Sequence, residues 1–139
     1  MDPNAILPPV FAMGLLTLVM LLWMYATRFP AMAKAHIEPQ DAADTSQLKR
    51  LPPEAVRVAD NYNHLFEQPT VFYAIALALA VSGQVDALHV QCAWAFVALR
   101  VAHSGVQATV NHVLTRFTLF SLAWLVLALM IVRGALGVF

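Results

Sequence analysis

The chain has 139 residues, of which 60% are hydrophobic and 12% charged, and its mean hydropathy is +0.69. A soluble domain carries about 25% charged residues, so the composition excludes an ordinary soluble domain and predicts a membrane protein. Eight basic residues balance eight acidic ones, so no overall field favours nucleic acid as a partner. The single cysteine, Cys92, excludes an internal disulfide and is expected to be a small core residue.

Four apolar runs cover residues 5–26, 65–82, 87–106 and 117–132. Each approaches the roughly 20 residues that a helix needs to cross a bilayer, and none alternates as a barrel strand would. The first run lacks the basic leader of a secretory signal, so we expect it to be a retained helix. The sequence predicts one all-α domain over residues 1–139, an integral membrane four-helix bundle. Its helices are expected at about 5–28, 54–82, 86–111 and 115–133, with a cytoplasmic loop at about 29–53.

A polar cluster precedes the apolar part of the second helix. At 3.6 residues per turn, Arg57, Asp60, His64 and Glu67 fall on one face, and Asn63 lies beside them. Ionisable groups at membrane depth are costly, so by default they indicate a functional site. We expect Pro69 to kink this helix just past Glu67, because proline removes a backbone hydrogen bond.

The third helix has its own polar face in its second half. An arginine within a membrane helix is costly unless it faces protein or a wet cavity, so this face is expected to point inward. Arg100 is then the natural counter-ion for Glu67, because pairing leaves neither buried charge uncompensated. The residues of this face are Arg100, His103, Ser104, Gln107 and Asn111.

The basic residues predict the orientation. They flank the first and third loops and are absent from the N-terminal segment and the turn at 82–86, which predicts both termini outside the cytoplasm. The polar faces of the second and third helices then converge on the cytoplasmic half, together with Arg116 at the start of the fourth helix. The basic residues concerned are Arg28, Lys34, Lys49, Arg50, Arg57 and Arg116.

Three segments together resemble the MAPEG family, the membrane-associated proteins of eicosanoid and glutathione metabolism. They are Asn63-His64-Leu65-Phe66-Glu67-Gln68-Pro69 with Phe72-Tyr73, then Arg100-Val101-Ala102-His103, and Arg116 after a short loop. The bacterial branch is the most similar. The resemblance implies a homotrimer in the bacterial inner membrane that binds glutathione between subunits, in the cytoplasmic half. It also implies transferase or peroxidase activity on a lipophilic electrophile that enters from the bilayer.

The resemblance also implies roles for individual residues. Arg116 matches the arginine that activates the thiol, and a guanidinium beside a thiol favours the thiolate. Arg28 matches a basic residue that contacts glutathione, and Glu67 matches a carboxylate near its amino group. The remaining expected glutathione-binding residues are Asn63, His64, Arg100, His103 and Gln107.

Some positions depart from the family pattern. Phe117 and Phe120 stand where eicosanoid enzymes carry a serine and a tyrosine, and neither can donate a hydrogen bond to sulfur. An alternative is therefore a non-catalytic trimeric membrane protein or partner subunit whose polar residues serve helix packing. A further alternative is a metal site at His64, Glu67, His103 and His112, although no metal is expected. His36 and His89 are expected to be solvated or interfacial.

Overall fold

The computed structural model describes residues 2–138, and all regular structure in that range is helical. A short 3-10 helix, Pro3–Ile6, leads into the first long helix, and another, Asp41–Ala43, lies in the long loop. The α-helices are α1 (Leu7–Lys34), α2 (Thr45–Leu48), α3 (Pro53–His64), α4 (Gln68–Val81), α5 (Ala87–Ala108) and α6 (Val113–Val138).

The long helices form a bundle of four rods, with α3 and α4 in sequence making up one rod. α1 packs against α3, α4 and α5, while α6 packs against α5 and α4. Short connections at 82–86 and 109–112 make consecutive rods antiparallel neighbours. The end of the bundle that carries the long loop at 35–52 is the loop end, and the end with the turn at 82–86 is the turn end. The predicted all-α four-helix bundle is confirmed.

The centre of the bundle is apolar. Phe72 on α4 stacks on Phe96 of α5 with ring centroids 4.5 Å apart, and both rings are fully buried. Methionines from α1 and side chains from α6 close around this pair. Cys92 is buried in the same core, as predicted.

Three helical stretches are long and apolar enough to cross a membrane: Pro3–Lys34, Pro53–Val81 and Val113–Val138. The fourth rod, α5, has 22 residues and so extends about 33 Å at 1.5 Å per residue, but its inward polar residues lower its hydropathy. Large apolar side chains such as Phe11, Leu22 and Leu125 are exposed on the outer faces of the bundle. This surface suits lipid and identifies an integral membrane protein.

The structure breaks the predicted second helix in two. α3 ends at His64 and α4 begins at Gln68, with Glu67 at the N-cap position in a non-helical conformation (φ −95°, ψ −98°). In a continuous helix Pro69 could not bond the Leu65 carbonyl and its ring would crowd it. In the first turn of a new helix the missing N–H costs nothing. The predicted kink is therefore a complete interruption.

Other helix bounds differ from prediction by less. α1 continues past Arg28 to Lys34 with Pro30 inside it, and α6 extends to Val138. α5 ends at Ala108, so Asn111 lies in the following turn and has a positive φ of 53°. Asparagine tolerates this left-handed conformation better than most residues.

The long loop is folded against the bundle. Met32 at the end of α1, Leu51 and Ala55 form a small apolar cluster beneath it. Asp44 caps α2 by accepting hydrogen bonds from the Ser46 hydroxyl and backbone N–H, which lower the pKa of Asp44. These contacts hold the loop-end segments close to α1 and α3.

Candidate functional site

Two adjoining cavities lie at the loop end of the bundle. The polar cavity has a volume of about 270 Å³ and the apolar cavity about 230 Å³. His64 and Arg116 line both, so these two side chains form the boundary between them. The polar cavity is also lined by Arg57, Asp60, Asn63, Glu67, Gln107 and Asn111. The apolar cavity is also lined by His103, Val113, Phe117 and Phe120.

The polar cavity carries balanced charge. Arg57 and Arg116 supply two guanidinium groups, and Asp60 and Glu67 supply two carboxylates. Asp60, Asn63 and Glu67 are exposed, so the cavity opens to water at the loop end. This arrangement suits a small zwitterionic ligand, because each ionic group of such a ligand finds an opposite charge.

The helix interruption brings the side chains of His64 and Glu67 into contact. His64 is the last residue of α3 and Glu67 the N-cap residue of α4, and the His64 Nδ1 lies 3.0 Å from the Glu67 Oε2. The side chains are 34% and 61% exposed, so the pair adds little to stability. Its effect is orientation, because a contact at Nδ1 fixes the imidazole ring and leaves Nε2 free.

Arg100 is fully buried below the polar cavity, and its pairing differs from prediction. Its NH1 donates to the Gln68 Oε1 at 3.3 Å, and the Gln68 amide nitrogen is 3.4 Å from the Phe120 carbonyl oxygen, to which it donates. The predicted Arg100–Glu67 ion pair is wrong in this structure. The interruption turns Glu67 outward and brings Gln68, the first residue of α4, into the core.

Arg116 is half-buried near the start of α6. Its NH1 donates to the Asn111 Oδ1 in the preceding turn. On the same helix, Phe117 and Phe120 line the apolar cavity, and Phe120 lies 6.3 Å from the His103 ring, centroid to centroid. The described residues that line the apolar cavity include no hydroxyl group.

Five of the predicted site residues come together in one cavity. Asn63, His64, Glu67, Gln107 and Arg116 line the polar cavity, as the convergence of polar faces predicted. The inward face of α5 is also confirmed, since its residues up to Gln107 are buried.

Other predicted site residues lie elsewhere. His103 lines only the apolar cavity, and Arg100 lies behind the site with Gln68. Arg28 is half-buried on α1 and is not among the described residues that line either cavity.

The predicted ligand set omitted four residues that the structure brings to the site or beneath it. Arg57 and Asp60 share the helical face of His64, and this spacing already indicated them. Asn111 belonged to the polar face of α5 and reaches the cavity from the turn. Only Gln68 gave no periodic signal, because its inward position depends on the helix interruption.

The structure also tests the predictions about His36, about His89 and about a metal site. His36 is exposed, as expected, but His89 is buried, with its Nδ1 3.0 Å from the Asp86 carboxylate. The expected solvation of the His89 side chain is therefore wrong, while its place at the membrane interface stays a prediction. Within residues 2–138, no group of three or more His, Cys, Asp or Glu side chains is placed to hold a metal ion. The structure therefore gives no support, within that range, to the alternative of a metal site.

The fold and site define an integral membrane protein with four helical rods and a two-part cavity at one end of the bundle. The model of the MAPEG family matches residues 6–136, nearly the whole chain. The chain belongs to the MAPEG family. Neither a curated protein nor a solved structure matches it.

Proposed function

We propose that this protein is a glutathione-dependent transferase or peroxidase that acts on lipophilic electrophiles. The observation that carries the proposal is the shared wall of the two cavities, formed by His64 and Arg116. A charged thiol peptide fits the polar side and an apolar substrate fits the other side. The two reactants would then meet at the boundary, where orientation alone gives a large rate advantage.

The polar cavity matches the charges of glutathione. The tripeptide has two carboxylates and one ammonium group, which call for cations and an anion at separate points. Arg57 and Arg116 offer guanidinium groups for the carboxylates, and Asp60 or Glu67 offers a carboxylate for the ammonium group. With the thiol beside Arg116, the positive charge would favour the thiolate, which is the nucleophile.

The apolar cavity suits the second substrate. Val113 and Phe117 are exposed beside it and Phe120 lines its inner side. Because these residues begin a membrane-spanning helix, a lipophilic molecule could reach the cavity from the bilayer without crossing water. The orientation predicted from the basic residues would put this site at the cytoplasmic side of a bacterial inner membrane.

A homotrimer would complete the site. Both cavities fall below about 300 Å³, the lower end of the usual range for ligand pockets, and the polar cavity is open on one side. Arg28, expected to contact glutathione, lines neither cavity. A neighbouring subunit that presents its Arg28 to the open side would supply both the missing wall and the missing cation.

A second candidate function is that of a non-catalytic partner subunit. The observation in its favour is that polar side chains near the site already serve packing. Arg100 bonds Gln68 in the core, and Arg116 bonds Asn111. Phe117 and Phe120 occupy positions where related enzymes carry hydroxyl groups. In this alternative the polar network stabilises the bundle and no ligand is turned over.

Isothermal titration separates the two candidates. Purified protein in detergent is titrated with reduced glutathione, and thermal unfolding is followed with and without ligand. The proposed enzyme should give saturable heat and a raised unfolding temperature, because a ligand that binds only the folded state stabilises it. Absence of both effects at millimolar glutathione would favour the non-catalytic subunit.

A further inference from the structure

We propose that His64 is the general base that removes the glutathione thiol proton, and that Glu67 is its positioning residue. This inference rests on the function proposed above and assigns the chemical step within the same site. Neither role follows from the family resemblance, which implies only that these residues bind glutathione and that Arg116 activates its thiol.

Arg116 cannot complete the step alone. A guanidinium stabilises an anion but has no acceptor for a proton, since it remains protonated in proteins. The described residues that line the apolar cavity carry no hydroxyl group, because phenylalanines occupy positions 117 and 120. At this boundary the thiol proton therefore goes to a group other than Arg116, and a side-chain base would accept it more readily than water.

His64 lies at the boundary between the two cavities. With Arg116, it is one of two side chains that line both cavities, so its imidazole borders the place where the thiol and the electrophile would meet. The Glu67 carboxylate lies 3.0 Å from Nδ1, and this contact leaves Nε2 free to accept a proton. A carboxylate behind an imidazole fixes the tautomer and stabilises the imidazolium that forms.

His103 is the competing histidine, and its surroundings fit the role less well. It is almost fully buried, it lines only the apolar cavity, and its ring lies 6.3 Å from that of His64. Among residues 2–138, no carboxylate forms an ion pair with it, whereas Glu67 pairs with His64. A proton accepted by His64 can also leave through the polar cavity, which His64 lines and His103 does not.

The proposed reaction is a nucleophilic substitution on an aryl halide, in which every bond broken is matched by a bond formed or a group released. The thiol S–H bond breaks, its proton moves to the His64 Nε2, and its electron pair remains on sulfur. The thiolate forms a C–S bond at the halogen-bearing ring carbon, and the halide departs with the electron pair of the C–halogen bond. The imidazolium then releases its proton to water in the polar cavity. The reaction therefore requires no oxidant or reductant.

Several charged or titratable groups surround His64. The groups that face the site from α3, the interruption, α5 and α6 are Arg57, Asp60, Glu67, His103 and Arg116.

The experiment compares variants of the full-length protein in detergent, with reduced glutathione and chlorodinitrobenzene as substrates. His64→Gln removes the base, and Glu67→Gln keeps the shape but removes the charge of the positioning residue. His36→Asn is the matched control, because it removes an imidazole from the loop, away from both cavities, and asparagine tolerates the positive φ there. Titration measures glutathione binding, and the ultraviolet absorbance of the thiolate reports ionisation of the bound thiol.

We expect His64→Gln to lower kcat by about 100-fold, the lower end for general-base catalysis, with glutathione affinity changed by less than about threefold. The thiolate signal and the rate should both shift to higher pH in this variant, because the thiol must then ionise without a base. Glu67→Gln should give a smaller loss of kcat and should move the pH profile in the opposite direction, to lower pH, because a neutral amide no longer stabilises the imidazolium. His36→Asn should match the parent protein.

The outcomes distinguish this inference from the proposed function. If the parent protein binds and turns over glutathione while His64→Gln keeps its kcat and pH profile, the base is not His64 and the proposed function stands. If the parent protein does not bind glutathione, both fail. Should His64→Gln not fold, an unchanged pH profile in Glu67→Gln would overturn the assignment by itself.

Discussion

At the scale of single residues, Arg100 and Arg116 have different surroundings despite lying close in the fold. Arg100 is the largest fully buried side chain within residues 2–138, and one of its nitrogens bonds Gln68. Arg116 is half-buried and borders two cavities. We therefore assign Arg100 to the stability of the bundle and propose a ligand-binding role for Arg116.

Truncation of the two arginines should separate stability from binding. Arg100→Ala should lower the free energy of unfolding by about 2–5 kcal/mol, the range for emptying a buried site. Arg116→Ala should cost less than about 1 kcal/mol, because its side chain already faces open space. Arg100→Met should restore part of the loss by refilling the volume. Denaturant unfolding in detergent measures all three, and equal losses for the two alanine variants would contradict the assignment.

Removal of the Arg116 charge should affect catalysis. We expect Arg116→Gln to lower kcat/KM for glutathione by about 100-fold, since it removes one donor aimed at a developing anion. Arg50→Gln is the matched control, because the Arg50 side chain bonds Gln47 on the exposed loop and lines neither cavity of the site. Steady-state kinetics of both variants provide the comparison. A similar kcat/KM in the two would remove Arg116 from the mechanism.

Residue periodicity predicted which side chains come together where helices are regular. His64, Glu67, Gln107 and Arg116 were expected together and line one cavity. Gln68 and the pairing of Arg100 were missed, because the interruption of the helix over Leu65–Glu67 changes which side chains point inward. Such a change depends on tertiary packing, and a proline indicates only its position.

At the scale of helices, the interruption between α3 and α4 sets the geometry of His64 and Glu67. Pro69 in the first turn of α4 accounts for its position, and the Thr70 hydroxyl donates to the Glu67 carbonyl oxygen across it. A continuous helix would carry Glu67 around with its backbone and separate it from its present neighbours. The interruption is therefore part of the site.

Replacement of Pro69 should test this dependence. Pro69→Ala restores an N–H that can bond the Leu65 carbonyl, so we expect the helix to become more continuous and glutathione affinity to fall about tenfold, with stability unchanged or higher. Pro30→Ala, inside α1, is the control and should leave affinity unchanged. Titration and far-ultraviolet circular dichroism measure the two effects. Equal affinities in both variants would show that the interruption is dispensable.

Asp86 joins two helices at the turn end. It caps α5 by accepting from the His89 N–H, and it pairs with Arg133 of α6. The hydrogen bond from the His89 backbone is the main cause of a pKa for Asp86 below its usual value of 3.8. A lowered pKa means that the contribution to stability is full well above pH 3.8 and is lost as the pH falls through the folded-state value.

Acid unfolding should expose this contribution. We expect Asp86→Asn to be less stable than the parent protein at pH 7 and the difference to shrink below about pH 4, where the parent carboxylate protonates. Thermal unfolding in detergent across this pH range measures it, with Asp2→Asn as the control carboxylate at an exposed terminus. A difference that stays constant with pH would exclude Asp86 as the cause.

At the scale of the whole molecule, two kinds of surface are left uncovered by the single chain. They are the exposed apolar faces of the helices and the open side of the polar cavity. Lipid accounts for the apolar faces of α1 and α6. The proposed homotrimer accounts for the cavity, which a neighbouring Arg28 would close. All-α architecture, membrane insertion and family membership followed from composition and motif order, because these depend on the whole chain and not on local geometry.

Assembly can be measured directly. Native mass spectrometry of the purified protein in detergent should give a mass of three chains, and Arg28→Gln should retain the trimer while weakening glutathione binding. Lys34→Gln, near the same end of α1, is the control and should bind normally. A monomer, or a trimer whose affinity is unaffected by Arg28→Gln, would contradict a site completed by the neighbouring subunit.

The central claim is that the cavity bounded by His64 and Arg116 holds glutathione. Its most direct test is an electron cryomicroscopy map of the protein with saturating glutathione. The account predicts density for a tripeptide in the polar cavity between Glu67, Arg116 and Arg28 of a neighbouring subunit, with its sulfur at the boundary with the apolar cavity. A well-resolved map in which the cavity is empty of ligand would contradict it.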